Sequence, residues 1–195
     1  MCGICGIIDF RTSYAIDPAL LARIIATLNH RGPDRNDVWT SGPASLGHAR
    51  LSIIDLSDSG NQPMHSPCGR YVIVYNGEVY NFPELRIELE QEGIKFRGHS
   101  DTEVVLHAYI RYGLEFLPRL NGIFAFAIWD TWEKELLLAR DRLGQSHFIS
   151  ILLFVSISYG IVANGKWIFE IKEIILLQKK QAIAVTHKTE ISLAC

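Results

Sequence analysis

Apolar positions along this chain follow two periods, and each marks its own kind of element. Leu20, Leu21, Ile24, Ile25 and Leu28 recur at helical spacing. Asp17-Pro18 precedes them, an acceptor for the N-cap and a proline at the first helical position, and Arg31-Gly32-Pro33 is the predicted stop. Leu85 and Leu89, four apart between Pro83 and Gly93, predict a second helix. A third begins at Ser100-Asp101-Thr102-Glu103, a capping-box pattern, and runs through Val104, Val105 and Ala108 toward Gly113.

Between the helices lie β-branched and aromatic runs. Tyr71 to Tyr75, then Asn76-Gly77, then Glu78 to Tyr80 reads as a hairpin, because Asn-Gly suits the tight turns that join twisted strands. Ile123 to Trp129, a polar turn over 130–134, and Leu136 to Arg140 predict another. Elements occur in blocks rather than in strict alternation, which favours an α+β fold with mostly antiparallel sheets.

Composition narrows the class. The 195 residues carry 19 Lys+Arg and 21 Asp+Glu, a net charge of -2, with 48% hydrophobic residues. Such a chain can bury a core without disulfide or metal. The absence of a basic cluster argues against nucleic acid or an anionic membrane as partner. The uncharged stretch 148–163 is shorter than the roughly 20 residues a membrane helix needs, and it contains Ser150, Ser156, Ser158 and Gly160. It reads as buried strand. No secretory leader is evident, so a cytoplasmic setting with reduced thiols is expected. Cys2 and Cys5 have C-x-x-C spacing, but no second pair completes a zinc set.

Cys2 is the residue that changes the picture. After methionine removal its thiol and a free α-amine would share one carbon. An amine with an ordinary pKa of about 7.7–8.0 can serve as base for its own nucleophile. Taken alone, Cys2 could equally be an incidental small residue. Met1 to Ile8 followed by His30-Arg31-Gly32-Pro33-Asp34, however, resembles the class II glutamine amidotransferases, which are N-terminal-nucleophile hydrolases. Gly47 to Asp55, Asn61 to Met64, Tyr75 to Asn81, Ser100 to Glu103, Leu120 to Asp130 and Ala139 to Arg142 are similar to the asparagine synthetase branch, in that branch's order.

The resemblance implies a four-layer αββα sandwich of two antiparallel sheets. It implies hydrolysis of glutamine to glutamate and ammonia through a γ-glutamyl thioester on Cys2. It further implies that the Asn76 side chain and the Gly77 N–H form the oxyanion hole, although Asn76-Gly77 could be a turn and nothing more. Arg50 would hold the substrate α-carboxylate, against the alternative of a surface ion pair. Asp101 would accept from the α-ammonium, against the alternative of a helix N-terminal charge. Glu78 and the backbone of Leu51, Ser52, Ile53 and Ile54 would line the same pocket. His30 and His48 are expected to be structural, Cys5 a small buried residue, and Trp129 and Trp132 core or hairpin aromatics.

The resemblance weakens after Gly144, where Gln145 to Ser150 replaces the family's usual segment. Residues 2–144 are therefore expected to form the glutaminase core, and 145–195 a divergent, poorly packed remnant of the same domain. No ATP-binding loop of the synthetase type occurs, so the C-terminal ATP-dependent domain is expected to be absent, and ATP and magnesium with it. Glutamine hydrolysis itself needs no cofactor. A separate synthetase subunit or a homodimer stays open as partner, and an inactive fragment or non-catalytic glutamine-binding module is the alternative function.

Overall fold

The elements in chain order are β1 (Gly3–Ile8), α1 (Pro18–Ala26), β2 (Arg35–Ser41), β3 (Ala44–Arg50), β4 (Met64–His65), β5 (Tyr71–Val79), α2 (Phe82–Gln91), α3 (Asp101–Tyr112), β6 (Gly122–Asp130), β7 (Glu135–Arg140), β8 (Tyr159–Ala163), β9 (Lys166–Glu170) and β10 (Ala182–Val185). The computed structural model describes residues 2–9 and 17–143, together with the backbone of β8, β9 and β10. The expectation that 145–195 packs poorly turns on side chains, and those of 145–195 lie outside the described residues.

Two antiparallel sheets organise the core, and β8 and β9 pair with each other in a third, two-stranded one. One has the order β1-β3-β2; the other has the order β10-β7-β6-β5-β4. α1 lies against the first sheet and α3 against β5 of the second. Strand alternation separates the two faces of β5. Val72 and Val74 join Ala44, Leu46, Ala127, Trp129 and Leu136 between the sheets. Ile73 and Tyr75 turn the other way, into a cluster with Val104, Val105, Phe116, Phe124 and Phe126 under the helices. β5 and β6 are thus buried on both faces, which is why residues 123–129 form a continuous apolar run rather than alternating with polar residues. The layers are α, β, β and α, as expected.

Several local expectations need correction. Asn76-Gly77 is not a turn: β5 continues through it, pairing Asn76 with Ala125, Gly77 with Phe124 and Glu78 with Ile123. The long register with β6 overrides the local turn preference. Gly77 sits at φ 149°, and a Cβ there would lie 2.3 Å from the Ile123 carbonyl oxygen, so glycine is required for close strand approach rather than for reversal. α1 ends at Ala26, several residues before Arg31-Gly32-Pro33, and its buried face is Leu21 and Ile25, with Leu20 and Ile24 outside.

The capping box of α3 is only half made. The Ser100 hydroxyl accepts from the Glu103 N–H, but the Glu103 carboxylate accepts from the Arg97 and Gly98 N–H groups, each at 2.9 Å. It braces the incoming loop instead of the cap. No described helix is long and apolar enough to cross a membrane.

Candidate active site

The antiparallel pairing of β1 with β3 sets Gly3 opposite Ala49, which brings the residue before β1 to the segment after β3. Cys2 Sγ there accepts from the Leu51 N–H at 3.3 Å and lies 3.6 Å from the Leu51 carbonyl oxygen. A cleft of about 220 Å³ opens at this point. Cys2, Arg50, Leu51, Ser52, Ile53, Ile54, Asn76, Gly77, Glu78 and Asp101 all line it. Residues far apart in sequence therefore meet on one concavity.

Arg50 is 7% exposed. Its guanidinium donates to the carbonyl oxygens of Asp55 and Ser57 and to Asn61 Oδ1. These partners are uncharged oxygens, so the alternative of a surface ion pair is not what the site contains. A buried cation held by neutral dipoles suits an incoming anion. The loop carrying those oxygens is fixed by Asp55. Its carboxylate accepts from the Ser57 N–H at 2.8 Å, the Ser57 hydroxyl at 2.6 Å, the Ser59 hydroxyl at 3.3 Å and the His99 N–H at 2.8 Å. Burial pushes the Asp55 carboxyl up, but these donors outweigh it and bring the group to about 2.

Asp101, the first residue of α3, accepts from the Tyr75 hydroxyl at 2.7 Å, the Val79 N–H at 3.1 Å and the Thr102 N–H at 2.8 Å. Burial nevertheless holds its carboxyl above the usual range. It is tied to β5 as well as to the helix start, so the helix-dipole reading alone does not describe it. Tyr75, Gln62 and Thr102 were missed by sequence reasoning. Gln62 accepts from the Tyr75 N–H at 2.6 Å and donates to the Thr102 hydroxyl at 3.1 Å, locking β5 to α3 behind the cleft. Asn61 to Met64 stood out only as a motif, and nothing in its residue types announced this role.

Asn76 is buried, and its Oδ1 has no hydrogen-bond partner. A buried amide oxygen left unpaired costs about 1–3 kcal/mol, a cost that a bound molecule at the cleft can relieve. Glu78 is exposed at the rim, as are Ile53 and Ile54. The two histidines separate. His30 is exposed, with Nδ1 3.1 Å from the Thr27 carbonyl oxygen, and is not among the lining residues. His48 lines the cleft, is 1% exposed, and neither ring nitrogen has a hydrogen-bond partner. Burial pushes its imidazole down to about 4; the nearby Tyr75 backbone opposes that shift and the Arg50 charge adds to it. It is neutral near pH 7.

Cys5 sits within β1, half-buried, and burial raises its thiol to about 11, which makes it a poor nucleophile. Trp129 is in the inter-sheet core, whereas Trp132 is exposed on the β6–β7 turn beside the Arg70 guanidinium.

Comparison with known proteins bears on the family and the fold. Residues 1–189 match the family model described as a glutamine amidotransferase domain. The chain is 44% identical over 150 residues to asparagine synthetase [glutamine-hydrolyzing] 3 of Bacillus subtilis, covering 76% of this chain and 24% of that protein. It is 38% identical over 144 residues to asparagine synthetase [glutamine-hydrolyzing] 1 of Arabidopsis thaliana, covering 74% and 24%. Amidase chry2 of Gibberella zeae is 49% identical over 117 residues, covering 59% and 17%. The chain thus spans about a quarter or less of these relatives. Among solved structures, the glutamine phosphoribosylpyrophosphate amidotransferase of B. subtilis aligns with a TM-score of 0.60 at 22% identity, over 74% of this chain and 38% of that one, a likeness of fold. With the sequence motifs, the four layers and the family match in agreement, the chain belongs to the glutamine amidotransferase domain family.

Proposed function

We propose that this chain hydrolyses glutamine to glutamate and ammonia with Cys2 as the nucleophile. The observation that carries the reading is the placement of Cys2 Sγ on a cleft shared with Arg50, Asn76, Gly77 and Asp101. The α-amine of a mature Cys2 takes the thiol proton, and the sulfur attacks the side-chain amide carbon. Negative charge developing on the amide oxygen is met by the Asn76 side chain and the Gly77 N–H. The intermediate collapses, the C–N bond breaks, and the protonated amine supplies the proton with which ammonia leaves. Water then attacks the thioester carbonyl and gives its proton to the amine; the C–S bond breaks, glutamate leaves, and the amine returns the proton to the Cys2 sulfur. Arg50 engages the α-carboxylate and Asp101 the α-ammonium, with Glu78 and the backbone of 51–54 closing the pocket.

No metal or organic cofactor takes part in this hydrolysis. The ammonia would pass to an ATP- and magnesium-dependent synthetase site in another domain or subunit, or in a second copy of the assembly, within the cytoplasm. Intact, purified protein should release glutamate from glutamine, and Cys2→Ala should lower the rate by about 10⁶-fold, as loss of an attacking group does elsewhere. Substantial turnover in Cys2→Ala, or an active protein whose intact mass retains Met1, would sink the mechanism. Glutamine binding without turnover in the unaltered protein would mark a binding module instead.

A further inference from the structure

The His30 to Asp34 segment is a prominent motif of the sequence, yet none of its residues lines the cleft. Its contacts give it another task. Arg31 Nε donates to the Cys2 carbonyl oxygen at 3.0 Å. Asp34 grips the other side: its N–H donates to the Arg50 carbonyl oxygen at 3.0 Å, and its carboxylate accepts from the Ser52 N–H at 2.7 Å. Leu51, between those two bonds, is the residue whose N–H meets Cys2 Sγ at 3.3 Å. The segment comes close to the end of β3 because residue 32 is glycine; a Cβ there would lie 2.1 Å from the Ala49 carbonyl oxygen.

We infer that Arg31 and Asp34 are positioning residues that together set the distance between the Cys2 sulfur and the Leu51 N–H, and so prepare the nucleophile. This deepens the glutaminase reading and rests on it for the choice of substrate. Two anchors are needed because Cys2 immediately precedes β1 and Leu51 immediately follows β3, so neither belongs to the β1–β3 ladder. Arg31 fixes the nucleophile's backbone, and Asp34 fixes the donor's. An ion pair between Arg31 and Asp34 would tie the loop to itself; here each instead reaches a different strand end. Neither side chain touches the space where glutamine would lie, so their removal should act through the sulfur.

The test uses the whole chain and two readouts. In Arg31→Met and Asp34→Ala, kcat for glutamine should fall by about 10²-fold, the loss expected of a displacement near 1 Å at a reacting atom, with KM within about threefold. Iodoacetamide labelling of Cys2 at pH 7, followed by peptide mass spectrometry, should slow about tenfold, because the sulfur then loses the hydrogen bond that holds it in place for attack. Arg31→Lys and Asp34→Asn, which keep a donor and an acceptor, should restore most of both. Unchanged or faster labelling in the first two variants overturns the inference, as does a rise in KM with kcat unaltered. Should the unaltered protein fail to turn over glutamine, the glutaminase reading falls, while the labelling comparison still decides the positioning role. Asp34 is exposed, so its variants report even where an Arg31 variant fails to fold.

Discussion

The space beneath α2 and α3 and the cleft at the ends of β3 and β5 are built on opposite principles. The first is filled by Phe116, Phe124, Phe126, Val104 and Leu89, all at or below 1% exposure, with aromatic centroids 5.6–5.8 Å apart between neighbours. Its attraction is non-directional and scales with area. The cleft buries Arg50, Asn76, Asp101 and His48 instead, and its geometry is set by hydrogen bonds, some of them left unmade. One region supplies stability and tolerates no cavity; the other gives up stability to hold polar groups ready for a ligand.

Truncating each region should expose the contrast. Phe116→Ala is expected to lower unfolding free energy by about 3–5 kcal/mol while leaving the kinetics of properly folded protein unaltered; chemical denaturation alongside assays on the same sample checks both. Asn76→Ala should do the reverse, lowering turnover about 10²–10³-fold with little change in denaturation midpoint. A large stability loss in Asn76→Ala would show that the cleft is part of the structural core after all.

A smaller effect sharpens the comparison by pH. His48 is held near 4 in the fold against an ordinary value of 6.5. Between those values the unfolded chain binds a proton that the folded chain refuses, so stability falls as pH falls through that window and is regained above 6.5. The full difference is on the order of 3 kcal/mol. Urea unfolding at pH 7 and pH 4.5 should therefore show a shallower acid loss in His48→Gln than in the unaltered chain. Equal losses in the two proteins would contradict a buried, neutral His48.

Much of this was legible from residue order. The apolar period of 104–108, the Asp17-Pro18 start and the double-faced run 123–129 each state their own environment, because helix and strand periodicities map directly onto faces. The composition of the cleft was readable through the family resemblance, since residues 2, 50, 76, 77 and 101 carry it and the fold brings them together. The Asn76-Gly77 turn failed for an identifiable reason: local turn chemistry competes with nine paired positions between β5 and β6, and the ladder prevails.

What the sequence by itself determined is thus the set of elements, the layered class and the chemical types available at the site. Only the tertiary structure decided how they are held. That Glu103 braces residues 97–98, that Gln62 joins Tyr75 to Thr102, and that Arg31 reaches Cys2 are bonds spanning between 5 and 40 positions. Hydrogen bonds of that kind depend on distances between separate elements, and a linear pattern encodes burial but not which distant donor will meet which acceptor.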